Sequence, residues 1–229
     1  MSAAPQPEPT RRHRAGELGR RFDPQTWTGA LSIMVAAGVV LWAIEIVNVI
    51  TGYALNRYGM HPRSVRGLVG IVTMPLLHSD ALHLLAGIFP FIIIGWMALV
   101  GGGRAFLVTT AVVVLGGGLA TWLVGPPRTI VGSSALVFGW LAYLLARAYF
   151  ARRIVWILGA AFAIFFFGGL FGGLVPTVHS DVAWQANVCG FAAGVGAAWW
   201  LHPRKGSTRA ARRSDPLMAA RGVKRRRFT

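Results

Sequence analysis

Long runs of apolar residues dominate the chain, and short polar or glycine- and proline-rich segments separate them. A helix that rises 1.5 Å per residue needs about 20 residues to cross roughly 30 Å of hydrocarbon, so runs of this length predict membrane-spanning helices. The pattern therefore predicts an all-α integral membrane protein with six transmembrane helices. The predicted spans cover residues 27–49, 82–100, 104–124, 133–150, 154–175 and 183–201.

A shorter apolar stretch precedes the second span. It runs from Leu68 to Leu77 and contains Pro75. Ten residues are too few to span a membrane, and irregular backbone at membrane depth is tolerated only against protein or a water-filled cavity. We therefore predict an interfacial or re-entrant segment here.

The charge content agrees with a membrane protein. Charged residues make up 13% of the chain and hydrophobic residues 55%, whereas about a quarter of an ordinary soluble domain is charged. The net charge of +16 would suggest nucleic acid in a soluble protein. Here most of the excess lies in residues 1–26 and 202–229, so we predict basic tails around a membrane domain at 27–201. We expect these tails to attract anionic lipid and to bind no specific nucleic acid.

The distribution of arginine also predicts the orientation. An even number of spans places both tails on one side of the membrane, and cytoplasmic segments carry an excess of Lys and Arg. The first apolar run is too long for a signal-peptide core and lacks an obvious cleavage site, so we interpret it as a retained span. We expect a multi-pass protein of the plasma (inner) membrane with both termini in the cytoplasm. The opposite loops contain four arginines: Arg57, Arg63, Arg66 and Arg128.

Metal and cofactor chemistry has little support in the sequence. The single cysteine, Cys189, excludes an internal disulfide and any site built from several cysteines. On a helix, His78 and His83 would be about 140° apart, so they would not chelate one metal as an i, i+4 pair does. We predict no metal and no cofactor.

Two serines open the short fourth span. Ser133 and Ser134 follow a loop rich in proline and glycine, within the segment VGSSALVFGW. A serine at this place can cap the helix, which is worth about 1 kcal/mol. Alternatively, the free backbone N–H groups and the positive end of the helix dipole can serve an oxyanion beside its hydroxyl. The motif by itself leaves both interpretations open.

The sixth span carries a small-residue pattern. Gly190 and Gly194 form a G-x-x-x-G pair, which lets helix backbones approach closely in lipid. Gly132 and Gly139 lie near the start of the fourth span. We therefore predict close contact between the fourth and sixth spans.

Taken together, these features resemble the rhomboid family of intramembrane serine proteases. The features are six spans, histidines at the start of the second span, a G-x-S motif at the start of the fourth span and regularly spaced glycines on the sixth span. The resemblance covers roughly residues 60–200 and implies a six-helix rhomboid-like bundle. In that family a serine on the fourth span attacks a peptide bond, a histidine on the sixth is its general base, and a His-x-x-x-Asn element on the second helps to hold the oxyanion.

Carried over to this chain, the resemblance assigns positions to each role. The nucleophile falls on Ser134, which follows Gly132 in the motif. His83 takes the first oxyanion position, and Phe138 the place of an aromatic ring against the base. Gly139 fits the small-residue spacing of the fourth span.

Three positions depart from the family pattern. Asn187 stands where the family has its base, Gly87 where it has the oxyanion asparagine, and Ala135 where it commonly has glycine after the nucleophile. An amide has no useful basicity, and general-base assistance typically contributes about 10²- to 10⁴-fold. We therefore expect a pseudoprotease or very weak protease that binds transmembrane segments of membrane-protein clients.

Two alternatives stay open at this point. The first is an active serine endopeptidase in which His179, Asp181 or His83 replaces the missing base. The second is a small transporter, which would need ionisable residues along a path. The candidates for such a path are few and clustered at one level: Glu45, His78, Asp80 and His83.

Overall fold

A computed structural model describes residues 26–176 and 183–201. Its six long helices coincide with the six predicted segments to within about two residues, and no strand element lies in these two ranges. Nearly all of both predicted basic tails, together with His179 and Asp181, lie outside the described residues. The helices are α1 (Trp27–Ile50), α2 (Ala81–Val100), α3 (Gly103–Val124), α4 (Ser134–Ala151), α5 (Ile154–Leu174) and α6 (Trp184–Leu201).

The helices differ in how apolar and how buried they are. Within the described ranges, five helices, α1 to α5, are long and apolar enough to cross a membrane. The sixth, α6, has 18 residues and includes the polar Gln185 and Asn187. It makes its most extensive contact with α4, which is the most buried of the spans. Polar side chains within a membrane bundle are tolerated where they face its interior, which explains why α6 accepts them.

The contact between α4 and α6 depends on glycine. A Cβ added at Gly190 would overlap the carbonyl oxygen of Ala135, and one added at Gly194 would overlap that of Gly139. The close approach predicted from the G-x-x-x-G pair is therefore confirmed. Gly190 meets Ala135, and Gly194, further along α6, meets Gly139, further along α4. The two helices therefore run in the same direction.

The interfacial segment, Arg66–Leu76, lies before α2 and does not span. It consists of short 3-10 pieces around one helical turn, Gly70–Thr73, and Pro75 is buried in its last turn. One side of this segment, including Met74 and Pro75, is buried against protein, whereas Val69 and Val72 are more than half exposed.

Backbone hydrogen bonds join three segments of the chain next to the start of α4. Met60 and Ile130 exchange N–H···O bonds of 2.9 and 2.8 Å, in an isolated antiparallel bridge. The Gly132 N–H then donates to the carbonyl of Met74 at 3.0 Å. These bonds fix the loop that delivers the serine pair to α4.

The one acid predicted within the first span is turned inward. Glu45 is buried, and the amide of Asn48 lies 3.5 Å from its Oε2. The same amide lies 3.3 Å from the carbonyl of His78, which also accepts from Asn56 at 3.0 Å. The polar end of α1 thereby holds the backbone that leads into α2.

Candidate active site

The two serines at the start of α4 have different surroundings. Ser133 is only 3% exposed, and its Oγ lies 3.4 Å from Nε2 of His78. It occupies the N-cap position, but its side chain makes no capping hydrogen bond. Ser134, the first residue of α4, is partly exposed. Ser134 is therefore the hydroxyl that a substrate can reach, and neither serine is present simply as a side-chain cap.

Gly132 brings His83 and Ser134 together. Its φ of +125° lies in the region that side-chain-bearing residues rarely adopt. A Cβ there would lie 3.1 Å from Cε1 and 3.3 Å from Nε2 of His83, and 4.0 Å from Oγ of Ser134. The imidazole and the hydroxyl therefore both border the space beside Gly132. The expected association of His83 with Ser134 stays a prediction.

The other edge of the His83 ring is held by the start of α2. Nδ1 of His83 lies 2.9 Å from the hydroxyl of Ser79, which donates to Oδ2 of Asp80 at 2.9 Å. Asp80 caps α2 by accepting the His83 N–H on Oδ1 at 2.8 Å. That backbone bond, followed by the Ser79 hydroxyl, lowers the pKa of the Asp80 carboxyl. Asp80 is therefore ionised at neutral pH.

His78 is a buried, neutral neighbour of the site. Its ring packs edge-on against that of His83, with centroids 5.5 Å apart. Burial, and then the nearby His83, lower the pKa of His78 to about 4, although Asp80 acts in the opposite direction. The imidazole of His78 lies against Ser133, so it supports the loop and does not face a substrate.

Burial of His78 makes folding sensitive to acid. Its pKa is about 4 in the folded chain and 6.5 without these surroundings. The stability from keeping it neutral is present above about pH 6.5 and is lost as the pH falls towards 4, amounting to about 3 kcal/mol. We expect the melting temperature in detergent to fall more steeply from pH 6.5 to 4 in the wild type than in His78→Gln. Equal slopes in the two proteins would contradict this assignment.

Asn187 occupies the interior of the bundle. Its Nδ2 donates to the carbonyl of Gly173 at 3.0 Å, and its Oδ1 is buried with no partner among the described residues. A Cβ at Gly173 would lie 3.2 Å from this Nδ2 and 3.3 Å from Cζ of Phe138. Phe138 and Asn187 therefore both border Gly173, and the expected placement of the ring against position 187 stays a prediction. Gly173 was missed by sequence reasoning, because one glycine in the run GGLFGGL carries no signal of its neighbours.

The register of α4 on α6 sets the height of Asn187 in the bundle. Gly190 lies at Ala135 and Gly194 at Gly139. Counting back three residues places Asn187 at the level of Gly132, about 3 Å along the axis from Ser134. The position of the missing base is therefore at the depth of the hydroxyl.

Two further predicted positions behave differently. A Cβ at Gly87 on α2 would meet no atom within 4 Å, so the place of the oxyanion asparagine is open space. Ala135 is buried, and its carbonyl faces Gly190. Hence Gly87 has room for a side chain, whereas Ala135 is part of the helix contact. Within the described ranges, no cluster of three His, Cys, Asp or Glu residues has a metal-binding arrangement.

These features define a helical membrane protein with a reachable serine at the start of a buried central helix and an imidazole beside it. The sequence model of the Rhomboid domain matches residues 65–204, which is more than half of the chain. The chain belongs to the rhomboid family, and it is a homologue of the family's intramembrane proteases.

Mycobacterial proteins resemble the chain over almost its whole length. It is 32% identical to "Uncharacterized protein Mb1372" of Mycobacterium bovis over 227 residues, which covers 90% of this chain and 95% of that protein. "Uncharacterized protein Rv1337" of Mycobacterium tuberculosis gives the same values. "Uncharacterized protein ML1171" of Mycobacterium leprae is 32% identical over 204 residues, or 82% and 81% of the two chains.

Proposed function

We propose that this rhomboid-family protein binds transmembrane segments of membrane-protein clients and cleaves them very weakly or not at all. The observation that carries the proposal is the state of Asn187. Its amide stands at the depth of Ser134, is held by the carbonyl of Gly173 and lies beside Phe138. An amide nitrogen in that place donates a hydrogen bond and accepts no proton.

The chemistry limits the rate. A serine hydroxyl is a poor nucleophile unless a base takes its proton, and the loss of such a base costs about 10²- to 10⁴-fold. The open space at Gly87 removes a second element, an oxyanion donor, whose loss costs about 2.7 to 4 kcal/mol in other serine hydrolases. Client binding does not depend on either group.

A surface for a client helix runs along α2 from the site. Leu82, Leu85 and Phe89 are 73%, 57% and 61% exposed, and their spacing places them on one face of the helix. We call them the client face. The ring of Phe89 also packs against the ring of Phe167 on α5, with centroids 5.8 Å apart. A transmembrane segment lying on this face would end beside His83 and Ser134.

Site-specific photo-crosslinking tests this proposal. A photoreactive phenylalanine at Phe89 is expected to crosslink a labelled single-span peptide in proteoliposomes much more strongly than one at Leu107. Leu107 is the matched control, because it is 67% exposed and belongs to a different helix, α3. In the same sample, little or no cleaved peptide should form.

Two results would contradict the proposal. Equal crosslinking from Phe89 and Leu107 would show that the peptide merely shares the lipid with the protein. Rapid, Ser134-dependent cleavage of the peptide would show that the chain is a fully active protease.

We also propose that both termini lie in the cytoplasm and that the basic tails contact anionic lipid of the plasma membrane. The support is the concentration of Lys and Arg in residues 1–26 and 202–229. Basic segments are retained on the cytoplasmic side and are attracted to anionic lipid there.

A second candidate function is cleavage by Ser134 with a base other than residue 187. One observation favours it, namely that Nε2 of His83 borders the same small gap as the Ser134 hydroxyl.

A further inference from the structure

Ser79 determines which nitrogen of His83 carries the proton. The hydroxyl has one hydrogen and donates it to Oδ2 of the ionised Asp80 at 2.9 Å. Nδ1 of His83, which is 2.9 Å from the same oxygen, must then donate to it. In a neutral imidazole with its proton on Nδ1, Nε2 is an acceptor.

That acceptor and the Ser134 hydroxyl both lie next to Gly132. Nε2 lies 3.3 Å, and the Ser134 Oγ 4.0 Å, from the point where a Cβ of Gly132 would be. Catalytic hydrogen bonds are often long before substrate binds, and proton transfer over one water is also effective. Nε2 and Oγ border the same space beside Gly132, and transfer of the serine proton to His83 requires rotation of Oγ or one bridging water.

The start of α4 supplies backbone N–H donors for the negative charge that develops on the substrate carbonyl oxygen. The N–H groups of Ser134 and Ala135 lie in the first turn, where a helix provides them with no internal acceptor. The carbonyl of Ser133 accepts from Leu136 and Val137, at 3.0 and 3.1 Å, and not from these two residues. Two backbone donors and the helix dipole can hold an oxyanion without the side chain of His83.

We propose that His83 is the general base of Ser134, with Ser79 and Asp80 as positioning residues that set its tautomer. In the reaction, Oγ of Ser134 bonds to the carbonyl carbon of an ester or peptide while its proton passes to Nε2. The proton then moves to the leaving oxygen or nitrogen as that bond breaks. Water reverses the sequence, regenerating Ser134 and releasing the acid.

This inference deepens the proposed function, because it assigns a base to the weak hydrolysis which that proposal allows. It depends on the atoms around Ser134, whereas client binding depends on the face formed by Leu82, Leu85 and Phe89. Crosslinking from Phe89 and reactivity of Ser134 can therefore succeed or fail separately.

The test is the labelling rate of purified full-length protein with a fluorophosphonate probe. Attack of Oγ breaks the P–F bond and forms a serine phosphonate ester, while fluoride and the proton leave. We expect labelling that is absent in Ser134→Ala and reduced about 10²-fold or more in His83→Gln. His61→Gln is the matched control and should label within about threefold of the wild type, because the His61 ring, among the described residues, bonds to the Gly59 carbonyl and the Thr129 hydroxyl and not to Ser134.

Variants of the positioning residues Ser79 and Asp80 test the tautomer of His83 more specifically. Asp80→Asn keeps a good N-cap, but the new amide N–H would donate to the Ser79 hydroxyl. Ser79 would then donate its own hydrogen to Nδ1 of His83. The imidazole proton would therefore move to Nε2, which could no longer accept. We expect this variant to label as slowly as His83→Gln with an unchanged melting temperature. Ser79→Ala should also slow labelling, and Ser79→Thr should restore it, because only the hydroxyl is needed.

Each result has a definite meaning. Absence of Ser134-dependent labelling in the wild type would overturn the inference and leave client binding untouched. Labelling that survives in His83→Gln would show that another group is the base. Fast labelling by Asp80→Asn would show that the tautomer is not set by Ser79.

Discussion

The double substitution Asn187→His and Gly87→Asn is expected to raise Ser134-dependent cleavage of a single-span peptide by about 10²-fold or more. The first change places a base at the depth of the hydroxyl, and the second places an amide donor beside the oxyanion. Cleavage is measured as product per time in proteoliposomes, at equal amounts of folded protein.

The surroundings of both positions favour this result. The carbonyl of Gly173, which now accepts from Asn187 at 3.0 Å, can accept an N–H of the introduced imidazole and hold it against Phe138. The other ring nitrogen is then free to accept a proton. On α2, a Cβ at Gly87 meets no atom within 4 Å, so the new amide needs no rearrangement.

Three control variants allow the outcome to be interpreted. Asn187→Gln adds no base and should stay near the wild-type rate, whereas Gly87→Asn alone adds only the oxyanion donor and should gain less than the double variant. Ser134→Ala in the double-substituted background should remove the activity. A double variant that melts like the wild type and still forms no product would show that residue 187 is out of reach of Ser134.

The second large effect concerns the contact between α4 and α6. Gly190→Ala and Gly194→Ala are each expected to lower the free energy of unfolding by about 1 to 3 kcal/mol, as overpacked positions do. The added methyl group would overlap a backbone carbonyl oxygen, of Ala135 or of Gly139. A backbone atom in a packed helix cannot move aside as the end of a flexible side chain can. The melting temperature in detergent, or unfolding by SDS, measures the loss.

Gly196→Ala is the matched control on the same helix. A Cβ at Gly196 meets no atom within 4 Å, and alanine is favoured over glycine in a helix by up to about 1 kcal/mol. This variant should be as stable as the wild type or slightly more stable. Equal destabilisation by Gly190→Ala and Gly196→Ala would show that loss of glycine flexibility, rather than helix contact, is responsible.

The spans were predictable from local pattern. Apolar length alone located α1 to α5, since a helix in hydrocarbon must satisfy its own backbone hydrogen bonds. The helix α6 is less apolar, because it includes Gln185 and Asn187, yet its apolar run predicted the helix and the spacing of Gly190 and Gly194 predicted its contact with α4.

The site was predictable only in part. The resemblance assigned Ser134 and His83, which both border Gly132, and Phe138 and Asn187, which both border Gly173. The roles of these residues stay predictions. The contact of Ser133 with His78 could not be read from the chain, because 55 residues separate them. The same holds for Gly173, whose carbonyl binds Asn187 from another helix.

By itself, the sequence determined that the chain forms six membrane helices of the rhomboid type with an amide at the position of the family's base. These are consequences of apolar length and residue identity, which are local properties. Only the tertiary structure decided that Ser134 is the reachable serine, that Ser133 is closed off by His78, and that His83 and Ser134 both border Gly132. Those outcomes depend on the positive φ of Gly132 and on hydrogen bonds between distant segments, which no local pattern encodes.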